Sequence, residues 1–215
     1  MVQDYRYLNE WTVKNNYSLP LILDVLENIG TKKVFTKIDL RWGYNNVRIK
    51  KGDEWKAAFT ILEGFFKPTV MFFRLTNSPA TFQAMMNELL RDLINTRKVA
   101  VFIDDVIIRM ETEEEHDELV AEVIKRLEEN DLYVKLEKYK WKVRKVGFLG
   151  VIIEPEGIKI EEENVKRVLE WPIPKCVKDV QKFLGLVNYY CQFIEGFVSI
   201  ARPLHDMVKK NKKWE

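Results

Sequence analysis

The sequence predicts an α+β fold, with an antiparallel sheet backed by helices. Three observations predict it. The runs VFTKIDL (34–40), VAVFIDDVII (99–108) and VGFLGVIIEPEGIKI (146–160) are rich in β-branched and aromatic residues, as strands are. Two stretches between them carry apolar residues at helical spacing. The strand–helix–strand–helix–strand order, with tight turns inside the second and third runs, suggests antiparallel pairing backed by two helices.

The 215 residues suffice for one large domain or two or three small subdomains. Apolar residues make up 47% and charged residues 32%, enough apolar mass for a real core. The net charge of only +2 gives no average nucleic-acid signal, so any basic surface is local. No apolar run approaches the ~20 residues that span a bilayer, so no membrane partner is expected. The opening MVQDYRYLNEW is charged and aromatic, unlike a signal peptide. Cys176 and Cys191 suggest no metal site, and a reduced intracellular compartment is the default.

The elements follow in order. NNYSLPLILDVLENIG reads as a turn and an amphipathic helix, with Ser18 as N-cap, Pro20 early in the helix and Gly30 closing it. VFTKIDL is a strand. Val47 to Val70 reads as strands and turns, punctuated by Gly52-Asp53 and Gly64. Ser78 caps the next helix and Pro79 is its first residue; Phe82, Met85, Met86, Leu89, Leu90 and Leu93 form its buried stripe. VAVFIDDVII makes two short strands around an acidic pair. Thr112 with Glu115 forms a capping box for a helix whose stripe is Leu119, Val120, Val123, Ile124 and Leu127. A strand pair turns at Pro155-Glu156-Gly157. The tail from Val165 is helical and lysine-rich, broken by Trp171-Pro172-Ile173-Pro174, so Pro155 to Pro174 is a candidate subdomain boundary.

Asp104 and Asp105 interrupt an otherwise apolar hairpin, and Asp39 ends the earlier strand. An ionised carboxylate cut off from water costs several kcal/mol unless it is paired or holds a metal. If the two strands are neighbours, the three acids converge at one edge of the sheet. Hard oxygen donors suit Mg²⁺, and two such ions ~3.5–4 Å apart serve phosphoryl transfer. The residues alone leave a second reading open: an exposed hairpin turn with two solvated aspartates.

Eight blocks then carry a resemblance. DYRYLN (4–9), FTKIDLRWGYNNVRI (35–49), DEWKAAF (53–59), LTNSPATFQAMMN (75–87), FIDDVII (102–108), EEEHDELV (113–120), VGFLGVII (146–153) and VQKFLGLVNYYCQFI (180–194) resemble, in order, blocks of the reverse transcriptase of gypsy-type long-terminal-repeat retrotransposons. The resemblance implies a right-hand polymerase: residues 1–14 partial fingers, 15–46 palm, 47–77 fingers, 78–154 palm with the acidic hairpin and primer grip, and 155–215 thumb. It implies RNA-directed DNA polymerisation with two Mg²⁺, Mn²⁺ being a substitute, on an RNA or DNA template with a primer, using deoxynucleoside triphosphates. Asp39, Asp104 and Asp105 would be the catalytic, metal-holding acids. Tyr44 would lie under the incoming sugar and exclude a 2′-hydroxyl, with Phe73 and Arg74 at the same nucleotide. Gln83 would lie on the helix facing the template–primer, and Phe148, Leu149 and Gly150 would form the primer grip. By residue type alone, Tyr44, Phe73, Phe148 and Leu149 also read as core, and Gln83 as a solvated helix position. Contacts to ribonuclease H or integrase parts of a parent polyprotein, and a cytoplasmic, virus-like-particle setting with nuclear access, are implied in the same way.

Departures from the family pattern accompany it. Arg74 stands where the family has Gly, Phe72 where it has Pro, Cys191 where it has Arg, and Tyr139 and Trp141 where it has Cys and Phe; Phe102-Ile103 is a milder change. The family's two triphosphate-binding basic residues would fall before Met1, so residues 1–215 alone are expected to polymerise weakly or not at all. The alternative function is an inactive retroelement remnant that keeps the fold and binds nucleic acid or protein. Lys135, Lys138, Lys140, Lys142, Arg144 and Lys145, interleaved with Tyr133, Tyr139 and Trp141, read either as a phosphate-facing strip or as a solvated face. His116 reads as a solvated helix residue, and Lys209, Lys210, Lys212 and Lys213 as a solvated tail.

Overall fold

The computed structural model describes residues 4–30 and 32–209. Lys210, Lys212 and Lys213 of the expected tail lie outside them; Lys209 pairs with Asp206 at 2.6 Å. The chain divides into two compact units, Met1–Phe148 with Glu154–Glu156, and Leu149–Ile153 with Gly157–Glu215. The division falls at Phe148/Leu149, inside segment 78–154.

In the first unit α1 (Arg6–Trp11) and α2 (Ile22–Ile29) precede β1 (Val34–Asp39). Ser18 is not the cap of α2. The cap position is Leu21, in extended backbone and without a side-chain hydrogen bond. The residue before a proline is pushed out of helical backbone, so a helix starts more readily after Pro20 than around it. Gly30 closes α2 at φ +54°, as expected of a glycine stop. β2 (Phe59–Ile61) and β3 (Gly64–Phe66) form a separate antiparallel hairpin.

The single helix expected over the Phe82–Leu93 stripe is two: α3 (Ser78–Leu89) and α4 (Arg91–Asn95), broken at Leu90. Asn77, not Ser78, is the cap residue of α3; the Ser78 hydroxyl donates instead to Phe72 O at 3.2 Å. β4 (Val99–Phe102) and β5 (Asp105–Met110) make the acidic hairpin. α5 (Glu113–Glu129) starts after Thr112, but the Thr112 side chain makes no capping bond. The acidic first turn Glu113–Glu115 suits the positive end of the helix dipole in its place. β6 (Lys140–Val143) and β7 (Val146–Phe148) end the unit.

The main sheet runs β4-β5-β1-β6, with every pairing antiparallel. Alternation along the strands divides its faces. Ile38, Val106, Ile108, Val99 and Val101 belong to one buried core with Phe82 and Met86 of α3 and Leu119, Val120, Val123 and Leu127 of α5. The other residues of the same strands, Phe35, Lys37 and Asp39 beside Asp105, Ile107 and Arg109, share the opposite face. The sequence anticipates both the antiparallel sheet and its helical backing. The strip at 140–143 instead supplies the fourth strand, an edge whose pairing with β1 is irregular between Phe35 and Lys37.

In the second unit β8 (Val151–Glu154) and β9 (Gly157–Ile160) flank the expected turn. α6 (Glu162–Leu169), α7 (Val177–Asn188) and α8 (Phe197–Met207) follow, with the break at Trp171–Pro174 where the prolines predict it. Val180, Leu184 and Val187 of α7 bury against Ala201 of α8.

Candidate active site

β1 and β5 bring the acids together. Their register sets Asp39 directly opposite Asp105, and Leu40 N donates to Asp104 O at 3.0 Å. Asp39 and the Asp104-Asp105 pair therefore meet at one end of the sheet, as the sequence argues they must if the strands are neighbours. The chain after Asp39 turns back past the hairpin. Gly43 makes that passage, because a Cβ there would lie 3.2 Å from Asp104 Cβ and 3.4 Å from the Phe82 ring. A glycine four residues after a strand-ending acid is the sequence signal of this close passage.

Each acid has a different electrostatic setting. Asp39 is buried; Lys135 Nζ donates to Oδ1 at 2.5 Å and Lys138 Nζ to Oδ2 at 3.2 Å. Burial alone would push the Asp39 carboxyl up, but the two ammonium groups outweigh it and hold it below the usual carboxylate range. Asp105 pairs with Lys37 at 3.1 Å. Asp104 makes no ion pair among the described residues. Burial pushes its carboxyl up, its backbone amide pulls the other way, and the charges of Asp105 and Asp39 push it up further. The charge of Lys135 offsets this only in part, so Asp104 is the acid of the three without an ion pair of its own.

The three lysines matter for the expected basic strip. Lys135 and Lys138 are spent on Asp39, and Lys142 pairs with Asp117 at 2.7 Å and Glu113 at 3.5 Å. Half of the strip therefore neutralises acids of its own unit and does not form a free phosphate-facing row.

As placed, the Asp39 and Asp105 side chains turn toward lysines, and among the described residues no three His, Cys, Asp or Glu side chains form a ready ligand set. The donor chemistry nevertheless fits a hard divalent cation: three carboxylates on adjacent backbone positions, two already paired with cationic groups and the third in no ion pair. Asp39, Asp104 and Asp105 are the residues that would hold it.

Tyr44 is buried beside this edge. Its ring meets Phe73 edge-on with centroids 5.0 Å apart and Phe82 at 5.7 Å. Burial, then the charge of Asp104, raises its phenol above the usual value, which places the ring near that acid. Phe73 is two-thirds exposed, at 67%, so it is not a core residue. Arg74 is exposed with φ +81°. That left-handed backbone is one that glycine adopts freely, and it leaves Arg74 strained.

Gln83 is not a solvated helix position: it is fully buried. Its Oε1 accepts from Ile103 N at 2.7 Å, and its Nε2 donates to Val101 O at 3.3 Å and Asn87 Oδ1 at 2.8 Å. Gln83 thus fastens α3 to the turn that carries Asp104, where Ile103 sits at φ +56°. Phe148 is fully buried, with Lys37 Nζ 5.9 Å from its ring centroid, so its side chain is core and not an exposed grip. In the second unit Leu149 and Gly150 take φ +49° and +76°. Leu149 O accepts from Tyr189 Oη at 2.6 Å and Gly150 O from Asn164 Nδ2 at 3.1 Å.

His116 is corrected as well. It is fully buried, 2.7 Å from the Thr36 hydroxyl, which also accepts from Lys142 N. It lies three and four residues before Leu119 and Val120, on the stripe that packs against the sheet.

Residues 1–153 match the family described as reverse transcriptase (RNA-dependent DNA polymerase). Among curated proteins, the Transposon Tf2-3 and Tf2-7 polyproteins of Schizosaccharomyces pombe are each 35% identical over all 215 residues. The chain covers 16% of each of these relatives. Among solved structures, a foamy viral protease-reverse transcriptase in complex with double-stranded DNA matches 99% of this chain and 38% of its own, at TM-score 0.90 and 29% identity. The foamy viral protease-reverse transcriptase in complex with an RNA/DNA hybrid matches 100% of this chain and 29% of its own, at TM-score 0.86 and 29% identity.

Proposed function

The chain belongs to the reverse transcriptase (RNA-dependent DNA polymerase) family, and from that premise we propose that its Asp39–Asp104–Asp105 edge carries out RNA-directed DNA synthesis within a retroelement polyprotein. The reaction is attack of a primer 3′-hydroxyl on the α-phosphate of a deoxynucleoside triphosphate, with pyrophosphate leaving. The observation that carries it is the register of β1 on β5, which gathers three acids, with the Asp104 carboxyl pushed up by burial and by its two acidic neighbours and held in no ion pair. When bound there, two Mg²⁺ ions supply the charge that activates a hydroxyl and stabilises the departing oxygen.

The chain's own residues do the positioning. Gln83 holds the Asp104 turn from behind. Gly43 lets the following segment pass close to Asp104. The Tyr44 ring, braced by Phe73 and Phe82, forms a flat wall that a ribose 2′-oxygen would strike. Lys135 and Lys138 hold both oxygens of Asp39, so these pairs must loosen for Asp39 to take up a divalent cation. An RNA or DNA template with its primer is the nucleic-acid partner, in keeping with the hybrid and duplex bound by the foamy viral enzymes. A remnant without activity is a second reading, favoured by the strained Arg74 where the family has Gly.

The test is primer extension on an RNA template with Mg²⁺, using the chain within its parent polyprotein, alongside calorimetric titration of the isolated chain with Mn²⁺. Asp104→Asn is expected to abolish extension and weaken Mn²⁺ binding while circular dichroism is unchanged. Extension by Asp104→Asn at the parental rate overturns the proposal. A fully inactive parent that still binds template–primer in a salt-dependent way establishes the remnant instead.

A further inference from the structure

Arg109 presents a group that the polymerase chemistry does not use. It lies on the same face of β5 as Asp105, four residues on, about 13 Å away at ~3.3 Å per residue. Only 4% of it is exposed. Its Nε has no hydrogen-bond partner, and among the described residues its guanidinium makes no ion pair. A buried charge of this kind costs several kcal/mol when left alone. Burial, then the nearby charge of Arg97, lowers its pKa to about 10, so a second cation stands close by.

The guanidinium lines two cavities, of about 340 and 490 Å³, which share Asn28, Arg97 and Arg109 in their walls. Asn87 and Asn95 add amides to the first and Thr96 and Lys98 polar groups to the second. The carboxylates in these walls do not neutralise Arg109. Glu111 is committed to Lys32 at 2.9 Å, and Asp24, Glu27 and Glu115 make no ion pair with it. Gly30 lies against the guanidinium, where a Cβ would come within 3.6 Å of Arg109 Nη1. Arg97 reaches the cavities from a left-handed backbone position, φ +56°. Two guanidinium forks with amides beside them match the oxygens of a tetrahedral dianion.

We propose that Arg109 and Arg97, with Asn28, form a binding site for a phosphate group at the end of β5 remote from the aspartates. The phosphate comes from one of two sources of the same chemistry: a free phosphate or nucleotide, or the backbone of a nucleic acid.

The test is thermal unfolding and calorimetric titration of the chain with inorganic phosphate, at constant ionic strength held with chloride. A short single-stranded oligonucleotide is run in parallel. Phosphate is expected to stabilise the parent saturably. Arg109→Met is expected to fold in chloride and lose the phosphate response. Arg97→Met, at an exposed position, is expected to weaken it about tenfold, the loss of one charge-assisted contact. An Arg109-dependent response to the oligonucleotide at lower concentration than to phosphate assigns the backbone source; a response to phosphate alone assigns the free anion. The proposal is overturned if phosphate has no saturable effect on the parent, or if Arg97→Met responds like the parent. It is equally overturned if Arg109→Met keeps the response.

Discussion

Gln83→Leu tests whether a buried amide holds the hairpin that carries Asp104. Leucine keeps most of the volume and removes three hydrogen bonds at once: from Ile103 N at 2.7 Å, to Val101 O at 3.3 Å and to Asn87 Oδ1 at 2.8 Å. Asn87 is half-exposed and can turn to water, so its loss counts for little. Ile103 N and Val101 O lie at the turn, where a buried polar group left without its partner costs about 1–3 kcal/mol. Ile103 is also a β-branched residue at φ +56°, a conformation that costs roughly 1–2 kcal/mol and needs such an anchor. The expected destabilisation is about 2–4 kcal/mol. For a chain of this size each kcal/mol lowers Tm by about 2–4 °C, so a fall of about 4–16 °C is expected. Thermal unfolding by circular dichroism measures it, and hydrogen exchange at the Ile103 amide locates it. A Tm within about 1 °C of the parent, with the Ile103 amide as protected as before, would refute the anchoring role.

Four further outcomes are expected. Arg74→Gly places glycine where φ is +81° and raises stability by about 1 kcal/mol in a urea titration; a loss of stability would mean that the Arg74 side chain contributes more than its backbone strain costs. Thr36→Val removes the 2.7 Å partner of buried His116 Nε2 and costs about 1–2 kcal/mol. Burial chiefly holds the His116 imidazole below its ordinary value, so the unfolded chain binds the proton first. The stability this contributes is complete above about pH 6.5 and falls as pH drops below it; urea midpoints at pH 7.5 and 5.5 show the slope, which His116→Leu flattens. In the active polyprotein Tyr44→Val opens the wall beside Asp104 and raises the ribonucleotide-to-deoxynucleotide incorporation ratio about ten- to hundredfold; an unchanged ratio makes Tyr44 a packing residue only.

Much of the fold was legible because local patterns and tertiary burial agree. The Leu119–Leu127 stripe, the β-branched runs at 34–40 and 99–108 and the proline break at 171–174 each mark an element that the structure contains. The caps were less legible: Ser18, Ser78 and Thr112 are all cap-type residues, yet none makes the capping bond. A cap depends on backbone angles one or two residues away, and at Ser18 those are set by the following proline. The spacing of His116 to Leu119 and Val120 places it on the buried stripe, while its polarity alone argues for the outside.

The sequence by itself determined that two adjacent carboxylates interrupt an apolar hairpin and that a third ends another strand. A period of two along a strand commits those side chains to a face before any partner is known. Only the tertiary structure decided which charges answer them. Lys135 and Lys138 are 96 and 99 residues from Asp39, and Gln83 reaches across 20 residues to Ile103. The same holds for Arg109, whose cavities are walled by segments from Asn28 to Glu115. Hydrogen bonds and ion pairs act over a few ångströms in space whatever the separation in sequence, so which partner each acid or guanidinium receives is settled by strand register and helix packing.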